Sequence, residues 1–83
     1  MVVLLAPDAR QDFDRLPVTI RARVLKILER LGQWPEVSGA KALSGDWAGH
    51  YRIRTGDWRV IFRVITPSLI VVRIRHRSQV YGE

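Results

Sequence analysis

The sequence contains no cysteine, which excludes a disulfide framework and any thiolate metal site. That absence fits a reducing compartment. Histidine is limited to His50 and His76, and past residue 44 the only acidic residues are Asp46, Asp57 and Glu83. A metal cluster of histidines and carboxylates has too little to draw on, and no cofactor is expected. Long apolar runs are also missing. The opening "MVVLLAPDAR" has a short apolar run with no basic stretch before it, so it makes a poor secretory signal. Nothing approaches the roughly 18 apolar residues that span a bilayer. The expectation is a soluble, cytoplasmic protein with no membrane partner. At 83 residues, one domain over 1–83 is expected.

Positive charge is what the sequence does have. Fourteen basic residues stand against eight acidic, for a net charge of +6. The excess is uneven. Residues 1–44 hold seven basic and five acidic residues, whereas 45–83 hold seven basic and three acidic, and all seven of those basics are arginine. Arginine presents paired donors on a planar head, which suits forked recognition of phosphate. Such a balance points to an anionic partner, either nucleic acid or an acidic protein. The plainer alternative is a solvated surface that keeps the chain soluble.

The pattern of elements is α+β. "VVLLA" (2–6) reads as a buried strand stopped by Pro7. "PDARQDFDRL" (7–16) follows as a helix, with Pro7 in its first turn and Asp8 near its N-terminus. A longer helix begins around Pro17. Its apolar stripe is Ile20, Val24, Ile27, Leu28 and Leu31, and Gly32 and Pro35 end it. The two helices should form a helical hairpin. Residues 36–49 are rich in glycine and serine and read as loop. Strands are expected at about 50–54, 58–65 and 69–75, with turns at Thr55–Asp57 and Thr66–Ser68. The expected fold is a small antiparallel twisted sheet packed on an N-terminal helical hairpin, in the order β-α-α-β-β-β.

Side chains alternate along a strand, so parity assigns each one a face. Tyr51 and Ile53 share one face and Arg52 and Arg54 the other. Trp58, Val60, Phe62 and Val64 oppose Arg59, Ile61 and Arg63. In the last strand Ile70, Val72 and Ile74 oppose Val71, Arg73 and Arg75. The apolar faces would cover the helices, leaving a basic floor open to water. A floor evolved only for solubility would mix signs, because like charges facing each other across strands destabilise. The strands themselves supply no acidic partner for these arginines.

The stretches "LSGDWAGHYRIRTGDWRVIFRV" and "IVVRIRHRSQVY" resemble the RelE/ParE superfamily of bacterial toxins. The first strand, the Pro7-led helix and "LPVTIRARVLKILERL" stand where that family has its own, so the resemblance covers nearly the whole chain. It implies a small sheet with two helices on one face. The RelE branch cleaves mRNA in the ribosomal A site. The ParE branch shares the fold but poisons DNA gyrase without a nuclease site. Members of both are neutralised by a cognate antitoxin. The basic residues of the RelE pattern fall on Arg52, Arg54, Arg59 and Arg75, and its C-terminal tyrosine falls on Tyr81. Trp58 replaces a usual tyrosine, and the hairpin turn is shorter than in the best-known nucleases.

The reading this implies is a ribosome-dependent mRNA endonuclease. RNA can be cut by its own 2′-hydroxyl without a metal, given a base, an acid and stabilisation of the phosphorane. Arginine stays protonated and cannot serve as the base. Arg59 and Arg75 are assigned to the scissile phosphate. Arg52 and Arg54 would hold adjoining phosphates, and Arg63, Arg73 and Arg77 complete the RNA-binding set, with Arg77 also able to meet the antitoxin. Tyr81 is the candidate base or acid, with stacking on a nucleobase or anchoring of the C-terminus as its alternatives. His76 is the rival acid or base, although parity sends it to the apolar face. The expected partners are the antitoxin, the ribosome and its mRNA. A gyrase inhibitor or an inactive antitoxin-binding relative is the alternative.

Overall fold

Two helices pack on one face of a five-stranded sheet in the computed structural model, which describes residues 1–79. In chain order the elements are β1 (Val2–Leu5), α1 (Pro7–Asp14), α2 (Val18–Leu31), β2 (Lys41–Ala42), β3 (Tyr51–Thr55), β4 (Trp58–Ile65) and β5 (Ser68–His76). Single 3-10 turns cover Gly45–Trp47 and Arg77–Gln79. Among the described residues no helix is long and apolar enough to cross a membrane.

Pro7 starts α1 at a position where its missing N–H costs nothing, and Asp8 lies in the positive first turn. The α2 stripe behaves as its spacing predicts. Val24, Ile27 and Leu31 are buried and Gly32 caps the helix. These side chains meet Ile53, Val60, Phe62, Leu69, Val71 and Ile74 from the sheet in one apolar core. Each full burial of such a side chain contributes about 1.5–3 kcal/mol. Trp34, just past α2, closes the end of this core with its ring 5.0 Å from Tyr51 and 5.2 Å from Phe62.

The strand order is β1-β5-β4-β3-β2. β3, β4 and β5 form an antiparallel meander with two-residue turns, Gly56–Asp57 and Thr66–Pro67. Gly56 has φ +58°, a conformation a tight hairpin turn needs and glycine adopts without strain. Two features differ from the sequence expectation. β1 joins the sheet parallel to β5, which makes the sheet mixed. The glycine-rich segment also contributes β2, a two-residue edge strand on β3.

A third difference matters for the site. Phe62 pairs with Val71, but Ile61 pairs with Arg73, so Val72 is an extra residue opposite that step. This β-bulge shifts the alternation of β5. Leu69, Val71 and Ile74 are therefore the core residues, rather than Ile70, Val72 and Ile74. Val72 instead joins Ile61, Leu43 and Trp47 in a small apolar cluster.

Candidate functional site

The pairing registers bring three arginines into a row. Arg54 on β3 is opposite Arg59 on β4, which is opposite Arg75 on β5. The next row contains Arg52, Ile61 and Arg73. A row of three guanidinium groups suits an anion lying along it. The face is less open than a bare floor. Arg52 and Arg59 are 8% and 7% exposed, respectively. Arg75 is partly buried, and its Nε–H is enclosed with no hydrogen-bond partner among the described residues.

Beyond the row, Arg52 and Arg54 line a groove of about 560 Å³ together with Arg30, Ser38 and Gly56. Arg30 Nη2 donates to the Ser38 carbonyl at 2.8 Å, and Arg52 Nη1 donates to the Gly39 carbonyl at 3.4 Å. Two arginines from different elements therefore fasten the loop after α2. Arg30 was not singled out by sequence, because on α2 it reads only as an off-stripe charge.

Arg73 has a different setting from the other arginines. Its Nε and Nη2 donate to the two carboxylate oxygens of Asp12, at 2.8 and 3.1 Å. Asp8 lies 3.8 Å from its Nη1. The hydrogen bonds from Asp12 raise the Arg73 pKa above its ordinary value; burial opposes this, and the charges of Asp12 and Asp8 reinforce it. Asp12 also accepts the Ile74 N–H at 2.9 Å. β1 ends opposite Val71, so Ile74 lies on a stretch of β5 that β1 no longer covers, and Asp12 supplies the missing acceptor. The strands supply no acidic partner for Arg73, and α1 supplies one that the sequence expectation did not include.

The remaining candidates are spread out. Arg63 is exposed and faces Ile70, four residues along β4 from Arg59 and so roughly 13 Å away. Arg77 lies past β5. Its N–H donates to the Asp57 carbonyl at 2.7 Å, and its Nη1 is 3.7 Å from Asp57 Oδ1. His76 pairs with Trp58 on the helix-facing side, with the two rings edge to face at 5.4 Å. The His76 Nδ1 accepts the Ser78 N–H at 3.3 Å, so that nitrogen is turned to its own backbone. Tyr81 lies outside the described residues.

A family model described as the ParE toxin of the type II toxin–antitoxin system parDE matches residues 3–81. Toxin RelE3 of Methanocaldococcus jannaschii is 29% identical over 85 residues, 98% of this chain and 96% of that protein. Among solved structures, the RelBE2 toxin–antitoxin complex of Mycobacterium tuberculosis is 28% identical with a TM-score of 0.78, over 92% of this chain and 96% of that one. The RelB–RelE antitoxin–toxin complex of Methanococcus jannaschii is 27% identical with a TM-score of 0.74, over 94% of each chain. With the two helices on a mixed sheet and the arginine row already in place, these matches make the chain a member of the RelE/ParE superfamily of toxins of type II toxin–antitoxin systems, RelE-like in structure.

Proposed function

We propose that the protein acts as a ribosome-dependent mRNA endonuclease, held inactive by a cognate antitoxin. The observation that carries this reading is the cross-strand row Arg54, Arg59 and Arg75. Such a row fits a strand of phosphates. The 2′-oxygen of the RNA attacks the adjoining phosphorus, its proton passes to a base, and the 5′-oxygen leaves with a proton from an acid. Arg59 and Arg75 stabilise the charge that builds on the non-bridging oxygens. Arg52 and Arg54 hold neighbouring phosphates. The resemblance assigns acid or base chemistry to Tyr81. No metal takes part in this scheme. Its setting is the cytoplasm, where messages are translated.

The antitoxin is supported by the RelBE2 and RelB–RelE relatives, both solved as toxin–antitoxin complexes. A net charge of +6 suits an acidic toxin-binding segment. Primer extension on a reporter mRNA in a reconstituted translation system tests the activity. Discrete cuts inside codons, appearing only when ribosomes translate, are the expected result.

A second reading has one specific observation in its favour, the match of residues 3–81 to the ParE model. On that reading the row is a docking surface on gyrase. An uncut message together with inhibited supercoiling would select it.

A further inference from the structure

We infer that Asp12 on α1 is a positioning residue for the arginine row, holding the β5 bulge that keeps Arg75 beside Arg59. This rests on the reading of the row as the RNA site. The need for the bulge follows from the registers. From the Thr66–Pro67 turn onward, Ser68 to Val71 pair in steady order with Ile65 to Phe62. Were that order continued without the extra residue, Arg73 would face Val60, Ile74 would face Arg59 and Arg75 would face Trp58. A one-residue slip sends every later side chain to the other face. Both arginines would then enter the apolar core, Ile74 would leave it, and the row would lose its third member. Inserting Val72 as an unpaired residue restores Val60 to Ile74 and Arg59 to Arg75.

Asp12 is the group that holds the chain directly after the insertion. Its carboxylate takes the Ile74 N–H and both arms of Arg73, so it fixes the backbone and the side chain of consecutive residues. Among the described residues no strand covers that edge of β5, since β1 stops at Leu5. Arg75 is the next residue after Ile74, on the side of the sheet opposite the core. The hydrogen bonds of Asp12 to Arg73 and to the Ile74 N–H act on Arg75 through the backbone of β5.

The test compares wild-type protein with D12A, D12N, R75A and the D12A/R75A double variant, each checked for folding by circular dichroism. Cleavage is followed in single turnover over a range of ribosome concentrations. D12A is expected to lose at least about tenfold in rate at saturation, with the half-saturating concentration changed less than about twofold. D12N retains a carbonyl acceptor for the Ile74 N–H and should recover most of that loss. In the R75A background, D12A should cost less than about twofold more, because the residue it positions is gone. A residue that only stabilises the fold would lower the melting temperature without these rate effects. D12A cleaving at the wild-type rate, or losses that multiply in the double variant, would overturn the inference. If D12A does not fold, D12S, too short to reach Ile74, is judged by the same criteria. A measurement independent of activity is the cross-strand nuclear Overhauser contact between Arg59 and Arg75. If wild-type protein cuts no RNA, loss of that contact in D12A upholds the positioning role and its persistence refutes it.

Discussion

Arg59 on β4 and Arg75 on β5 are direct cross-strand partners, two cations held side by side with Arg54 completing the row. If the row stabilises a developing phosphorane, removing either guanidinium should act on the chemical step. Arg59→Ala and Arg75→Ala are each expected to lower cleavage by about 10²–10³-fold, the range found when one preorganised donor is removed. Both should keep their circular dichroism spectrum and their affinity for the antitoxin. Full toxicity in both variants would sink the nuclease reading.

Arg54 is the exposed end of the row. If the row lies along phosphates, Arg54→Ala should weaken ribosome binding and make that binding less dependent on salt, by about one phosphate contact. Binding measured at several ionic strengths decides this. An unchanged salt dependence would remove Arg54 from the phosphate contacts.

Arg73 should behave as a structural cation. Arg73→Met leaves the partly buried Asp12 carboxylate with only the Ile74 N–H, and urea unfolding should show a loss of about 1–3 kcal/mol. Ribosome affinity should hardly move. The pH dependence has a definite sign. With the folded-state pKa raised by Asp12, the contribution of Arg73 is complete below the ordinary arginine value and is lost only as pH rises past the shifted one. The stability difference between wild type and Arg73→Met should therefore stay level from about neutral to about pH 10. A difference that shrinks over that range would contradict the pairing.

His76 is expected to be dispensable for the chemistry. Its ring packs edge to face on Trp58, on the sheet face away from the row, and its Nδ1 is occupied by Ser78. His76→Gln should keep the cleavage rate within about threefold and leave the shape of the pH–rate profile unchanged, since a lost general acid or base costs about 10²–10⁴. Disappearance of one limb of that profile would return His76 to the site.

Much of this was legible in the sequence because the signals were local. The α2 stripe had a single period, and the hairpin at Gly56 combined a turn with clean alternation on both arms. The arginines of β3 and β4 were placed by parity alone. β5 was harder, because "LIVV" is apolar at both parities and cannot reveal an inserted residue. The bulge becomes visible only through pairing with Ile61 and Phe62. Asp12 was missed for a related reason. On α1 it is one of three acidic residues in eight, and nothing nearby shows that it meets a strand some sixty residues later. β2 is two residues long and is defined by its pairing with β3, which its own sequence does not reveal.

The parallel pairing of β1 with β5 also says something about the order of assembly. Val2 is matched to Ser68 and Leu5 to Val71, so among the described residues β1 has its one sheet partner in β5. β5 in turn lies between β1 and β4 and carries Arg75. A nascent chain that has not yet released β5 from the exit tunnel has neither a joined sheet nor a complete arginine row. Contacts so distant in sequence close late and slowly. The place of β1 in the sheet and the third member of the arginine row thus depend on the same strand, β5.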